Sequence, residues 1–374
     1  MFEPADGLFG TLVTEQWIVD KLASRYGVSI SHLKFTRIGE TEGSFSRVCL
    51  MESDGGDDLP KKLILKIPTC LTYVENRMRR GWTGGDFSHV KDLLTTYHNK
   101  ETLFYDHVQG VSGVPRVFLS QPLTDTDQRG IICMEYLEGA RTRAVYESIS
   151  VNEMKSILDL YTGIQKGCST IPANVLQRFD GNVFELLAST TLSLDRLRRM
   201  ACWAPELSTV LSDLMEALPK FLDHSLFTRP HSECQFGPLF VHGDLYSSNI
   251  LWLDGAVKKI IDYQMVHYGN PVEDLIRIFA TGLSAKDRKI YTDELLGYYR
   301  TRITALLPEL EGVTRHSLST WYKEAFPMAG LWAIVSLHAS FESATSREPP
   351  DERKLKAVLE KIRGIAVDIL EIVG

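Results

Sequence analysis

A two-part α+β fold is the expectation, and three observations predict it. Up to Tyr136 the apolar residues come in short strand-like runs, at Leu63-Ile64-Leu65-Lys66-Ile67, Val114–Leu119 and Gly130–Tyr136, with a strand-turn-strand pattern from Phe35 to Met51 before them. After Ser150 the apolar spacing changes to the threes and fours of helices and stays so to the end. Inside that helical part, two further apolar runs, Phe240-Val241 and Ile260-Ile261, bracket a loop of oxygen-bearing side chains. The expected division is a strand-rich part at 1–136 and a mostly helical part at 137–374, with the hinge near Leu137–Arg143. A chain of 374 residues, 44% of them hydrophobic, is large enough for two such bodies.

The elements follow in order. Thr14 caps a helix that runs to Tyr26 and stops at Gly27. The hairpin at 35–51 turns through Gly39-Glu40-Thr41-Glu42-Gly43-Ser44-Phe45-Ser46. Lys66 stands in an apolar strand, where a charge is costly unless paired; Lys61 and Lys62 precede that run and read as solvated. A helix is expected over Phe87–Val108. The polar, aromatic stretch from Tyr73 to Gly85 fits a helix, an insertion or a lid. Beyond Ser150, Met154, Ile157, Leu158 and Tyr161 share one helix face and Leu207, Val210, Leu211, Leu214 and Met215 another, with breaks at Pro172, Gly181, Pro205 and Pro219. The last helix repeats Leu355, Val358, Leu359, Ile362, Ile365, Ala366, Ile369, Leu370 and Val373, one apolar face for core packing.

Composition narrows the function. A net charge of −7 and a pI of about 5.8 argue against a nucleic-acid partner, which needs a basic footprint. The basic clusters at 77–80 and 196–199 read as solvated helix faces. Six scattered cysteines with no C-x-x-C pair point to reduced thiols and a cytoplasmic home, with Cys49 and Cys133 in the core. No signal peptide and no membrane span are expected, since no apolar run approaches the needed length.

The chemistry concentrates in Val241-His242-Gly243-Asp244-Leu245-Tyr246-Ser247-Ser248-Asn249-Ile250-Leu251-Trp252, followed by Ile261-Asp262-Tyr263-Gln264. Asn249 lies five positions after Asp244, and Asp262 thirteen after Asn249 behind a strand. A tight loop between strands can gather these three side chains around one point. Mg²⁺ and phosphate ask for that, because Mg²⁺ takes a few hard oxygen ligands and shares its shell with substrate phosphates.

H-G-D-x-x-x-x-N, with I-D-Y-Q and then His267-Tyr268-Gly269-Asn270-Pro271-Val272-Glu273-Asp274-Leu275-Ile276-Arg277, resembles the CHK kinase-like family. That group is related to choline/ethanolamine kinases and aminoglycoside phosphotransferases, and includes ecdysteroid-kinase-like proteins and a nematode branch. The resemblance implies a two-lobed protein-kinase-like fold and a small-molecule kinase that uses ATP and Mg²⁺. Asp244 would orient the acceptor hydroxyl and take its proton, while Asn249 and Asp262 hold the metal. Lys66 would grip the α/β-phosphates, fixed by Glu101 in a Glu-x-x-Phe-Tyr run on the helix. Backbone N–H groups of Gly43, Ser44 and Phe45 would meet phosphate. Glu135, Tyr136 and Leu137 would form the linker that reads adenine, His242 would support the loop, and Asp274 would brace it. The short path from Asp262 to the next helix leaves no room for a protein-kinase activation segment, which favours a small acceptor.

Gly330-Leu331-Trp332-Ala333-Ile334 is similar to a run of choline kinases whose aromatics enclose an ammonium group, but Ala329 stands where a further Trp is usual. The expected acceptor is therefore a partly apolar hydroxyl compound, sterol-like or a glycoside, against a wall of Phe326, Met328 and Trp332. A choline/ethanolamine-type kinase and a catalytically silent pseudokinase that binds nucleotide or a partner are the alternatives.

Overall fold

The computed structural model describes residues 1–38, 45–56, 58–79, 88–179, 190–222, 239–345 and 351–374. Gly43 and Ser44 lie outside the described residues, as does the rest of the turn at 39–44. The chain divides into two compact units, Met1–Gly110 with Val114–Gly139, and Val111–Gly113 with Ala140–Gly374.

The first unit opens with α1 (Glu15–Tyr26). The Thr14 hydroxyl caps it by accepting from Trp17 N–H, and Gly27 ends it in the left-handed region at φ 67°. Strands β1 (Lys34–Ile38), β2 (Ser46–Glu52) and β3 (Lys62–Pro68) lead to α2 (Leu71–Arg79) and α3 (Ser88–His107). Strands β4 (Val117–Gln121) and β5 (Ile131–Glu135) complete an antiparallel sheet in the order β1-β2-β3-β5-β4. Within 73–85, the part up to Arg79 is helix α2. Burial alternates along β2 and β3. Cys49, Met51, Leu63, Leu65 and Ile67 pack with Trp17, Ile18 and Leu22 of α1. Lys66 therefore belongs to the other face of the sheet. The unbroken apolar run around it conceals this period of two.

The second unit holds α4 (Val151–Cys168), α5 (Ala173–Leu176), α6 (Thr190–Trp203) and α7 (Ser208–Phe221). Two small two-stranded antiparallel sheets follow, β6 (Leu239–Val241) with β9 (His267–Gly269), and between them in sequence the hairpin of β7 (Ile250–Leu253) with β8 (Ala256–Ile260). Helices α8 (Val272–Gly282), α9 (Ala285–Leu306), α10 (Arg315–Thr345) and α11 (Glu352–Val373) close the chain. One expected break is corrected: α7 passes through Pro219 and ends two residues later. So near a helix end the missing N–H forfeits one bond, and Leu222 N–H still reaches Leu218 O at 3.0 Å. The apolar face of α11 is core as expected, with Val358, Ile362, Ile365, Ala366 and Ile369 buried.

A polar knot secures the β7–β8 hairpin within this unit. Arg141 and Trp252 exchange both backbone bonds, at 2.9 and 2.8 Å. Arg143 lies 3.8 Å from the Trp252 ring centroid and donates to Glu153 at 2.6 Å. Glu153 also completes a capping box with Ser150 at the start of α4. The Arg143 hydrogen bond, working against burial, holds the Glu153 carboxyl down at about 2. A depressed carboxylate adds stability above its unfolded value, near 4.5, and loses it as pH falls through the folded one. The stability gap between wild type and Glu153→Gln, read from urea midpoints, is expected to be about 1–2 kcal/mol after screening. It should hold from pH 8 to 5 and close between pH 4.5 and 2.

Candidate active site

In the first unit Lys66 Nζ meets Glu101 Oε2 at 2.6 Å, the two side chains 13% and 1% exposed. Geometry of α3 explains the meeting. The Asn99 side chain exchanges two hydrogen bonds with the backbone of Leu123, at 2.9 and 2.8 Å, and His98 Nε2 donates to Gln121 O at 2.9 Å. These bonds pin α3 to the chain at the end of β4, and Glu101 stands two residues after Asn99 on the helix. Burial pushes the His98 imidazole down to about 4, so it stays neutral. Removing either member of the Lys66–Glu101 pair takes from the other a counter-charge 2.6 Å away, and in a buried pair that costs up to about 3–5 kcal/mol. In urea unfolding, Lys66→Met and Glu101→Gln together are expected to cost at least ~1 kcal/mol less than the sum of the singles. Strict additivity would break the pair.

Phe45 is held by its ring, stacked on Tyr73 at 6.2 Å and edge-on to Tyr97 at 6.0 Å. Its carbonyl accepts from Thr69 N–H at 3.0 Å. Glu135, Tyr136 and Leu137 are half-buried at the end of β5. Glu135 is tied to Arg116 through both its backbone N–H and its carboxylate.

In the second unit the loop after β6 is built around Asp274, in the first turn of α8. Its carboxylate accepts from His242 N–H at 2.6 Å, Gly243 N–H at 3.0 Å and the Tyr161 hydroxyl at 2.7 Å. Burial keeps that hydroxyl a phenol by raising its pKa. His242 Nε2 donates to Ile261 O at 3.0 Å, which leaves Nδ1 to accept from Asp244 N–H at 3.2 Å. The imidazole therefore bridges the loop to the strand end that carries Asp262. Gly243 is required twice over: its φ is 79°, and a Cβ there would lie 2.4 Å from Met265 O.

Asn249 Nδ2 donates to Asp244 O at 2.9 Å, with Asp244 Oδ2 at 3.4 Å. With the amide nitrogen on a carbonyl, Asn249 Oδ1 is left as an oxygen donor. Ile261 N–H bonds Asn249 O at 2.9 Å and Ile250 pairs with Ile260, so Asn249 and Asp262 flank the same end of the β7–β8 hairpin. Its other end turns through Asp254-Gly255, both at positive φ (52° and 75°), as a two-residue hairpin demands. Asp262 has φ 69° and ψ 63°, which turns the chain out of the strand. Asp tolerates this left-handed conformation better than most residues.

Among the described residues no three His, Cys, Asp or Glu side chains converge as a metal cage. One amide and one carboxylate, both hard oxygen donors, suit a Mg²⁺ ion that completes its shell with water and phosphate. Of the expected acceptor wall, Phe326 and Met328 are buried at 2% and 1% exposure and belong to the core of α10, whereas Trp332 is half-buried.

The model of the family described as DUF1679, uncharacterized oxidoreductase dhs-27, matches residues 1–373. This chain belongs to the DUF1679 family. A relative, the uncharacterized kinase-like protein D1044.1 of Caenorhabditis elegans, is 27% identical over 305 residues, 74% of this chain and 77% of its own. The uncharacterized oxidoreductase dhs-27 of the same organism is 22% identical over 312 residues, 78% of this chain. The match spans only 38% of that relative's length, so its oxidoreductase name is not carried over. In keeping with that, no two glycines of this sequence stand two apart, and the dinucleotide fingerprint G-x-G-x-x-G is absent. In fold, the crystal structure of choline kinase from Cryptosporidium parvum Iowa II superposes with a TM-score of 0.52 at 11% identity, over 96% of this chain and 94% of that one. The fold is thus the α+β, protein-kinase-like one, strand-rich in its first unit and mostly helical in its second, and the resemblance to CHK kinase-like proteins holds. No described helix is long and apolar enough to cross a membrane.

Sequence reasoning missed one residue that touches the loop. Arg277 on α8, 4% exposed, donates from Nη2 to Asp244 Oδ1 and from Nη1 to Ser336 Oγ at 2.9 Å. It stands three positions after Asp274, one helical turn further on. An arginine in the apolar run Leu275–Phe279 was the available signal.

Proposed function

We propose that this chain is an ATP- and Mg²⁺-dependent phosphotransferase that moves the γ-phosphoryl group to a hydroxyl of a small molecule. The observation that carries the reading is the braced loop in which Asp244 and Asn249 are hydrogen-bonded while Asp262 flanks the same hairpin end. Asp244 orients the acceptor hydroxyl and takes its proton as the oxygen attacks the γ-phosphorus, whose bond to the bridging oxygen breaks to release ADP. Asn249 Oδ1 and the Asp262 carboxylate hold Mg²⁺, which when bound neutralises charge on the transferring group. Lys66, fixed by Glu101, draws on the α/β-phosphates. The backbone at Gly43, Ser44 and Phe45 contacts phosphate, and that of Glu135, Tyr136 and Leu137 reads adenine. A sterol-like molecule or a glycoside is the favoured acceptor class, with Trp332 as its apolar contact.

The test is ATP consumption by the purified chain with Mg²⁺, with and without a panel holding a sterol, a glucoside, choline and ethanolamine. Acceptor-stimulated turnover that is lost on chelation of Mg²⁺ is expected. Absence of nucleotide binding, rather than of one acceptor's turnover, would overturn the reading.

A further inference from the structure

Arg277 does more than touch Asp244. Its guanidinium carbon lies 5.2 Å from the ring centroid of Tyr246 and 5.2 Å from that of Trp332. With Ser336 and Asp244 it has two polar partners and two aromatic faces, all within the second unit. Ser336 is itself held, donating to Trp332 O at 2.8 Å, and so is fixed one turn beyond Trp332 on α10. Aromatic faces that bind a cation are the means by which proteins hold choline-like ammonium groups. Here a face of Tyr246 and a face of Trp332 are engaged by a cation that belongs to the chain.

We propose that Arg277 is a fixed internal cation that positions the Asp244 carboxylate and, by engaging the Tyr246 and Trp332 rings, closes this side of the site to cationic acceptors. The hydroxyl compound that this chain phosphorylates then carries no positive charge near its reactive oxygen. This rests on the phosphotransferase reading for the word acceptor, but the charge selectivity stands on the geometry alone. Three facts combine. The carboxylate that could attract an ammonium group is already paired. The Trp332 indole N–H has no hydrogen-bond partner among the described residues, and it is a donor, which complements an oxygen and not a cation. Compared with the same site lacking it, the guanidinium disfavours a second positive charge about 6 Å away roughly 100-fold at an effective dielectric near 20, and the paired Asp244 carboxylate offsets part of this in the intact site.

Choline and 3,3-dimethylbutan-1-ol form the probe pair, since they have the same shape and differ in charge. The full chain is labelled with ¹⁵N-tryptophan, the Trp332 indole resonance is assigned with Trp332→Phe, and each probe is titrated without nucleotide, with sodium chloride as the ionic control. In the wild type choline is expected to leave the Trp332 resonance in place, and in Arg277→Gln to move it with at least ~100-fold tighter apparent binding. Choline moving Trp332 in the wild type as readily as the neutral alcohol does would overturn the proposal. So would a folded Arg277→Gln that responds no more than the wild type. If that variant fails to fold, the wild-type comparison still decides. No turnover enters the measurement, so failure of the phosphotransferase reading would show separately, as a missing response to ATP and Mg²⁺.

Discussion

Asp244→Asn is expected to lower phosphoryl transfer by about 10²- to 10⁴-fold, the usual contribution of a positioned general base. The readout is kcat on whichever hydroxyl compound the wild type consumes, or ATP hydrolysis where water is the acceptor. The Asn carbonyl can still accept from Arg277, so the loop should keep its shape. It no longer carries the charge opposite a guanidinium that is 4% exposed, however. A stability loss of about 1–3 kcal/mol should therefore accompany the loss of rate, below the cost of stranding the arginine outright. Nucleotide binding should survive. A variant that folds, binds nucleotide and turns over near the wild-type rate would remove Asp244 from the role of base.

Asp262→Ala is expected to abolish Mg²⁺-dependent stabilisation by nucleotide. A ligand that binds only the folded state at a hundred times its Kd adds about 2.7 kcal/mol, and melts with ATP and Mg²⁺ should show that shift in the wild type. The variant also places alanine at φ 69°, a region that costs an ordinary L-residue about 1–2 kcal/mol. Its melting point without ligand should therefore fall. The comparison is between ligand-induced shifts, and Asp262→Asn is the control that tolerates the backbone. Equal shifts in wild type and Asp262→Ala would take Asp262 out of the metal site.

Local patterns determined much of this protein. Thr14 and Gly27 bound α1 because caps are properties of a few neighbouring residues. Short apolar runs told strands from helices with their three-four spacing, because a strand buries few residues in a row whereas a helix buries one face with a period. The spacing of Asp244, Asn249 and Asp262 exposed the loop because a hairpin fixes how far apart its ends stand in sequence. The stop expected at Pro219 shows the limit of such rules, since a proline close to a helix end has one bond to break. Contacts between distant residues were decided by tertiary structure alone. Nothing near Glu101 announces that Asn99 will lock α3 to Leu123, or that Asp274 will accept from two backbone N–H groups 32 and 31 residues away. Phe326 and Met328 share helix α10 with Trp332, yet packing sends the first two into the core and leaves the third half-buried. Arg277 was legible only as an odd charge in an apolar run. Its pairing with Asp244 and its place between two rings come from three separate elements brought together, and a one-dimensional pattern carries no term for that.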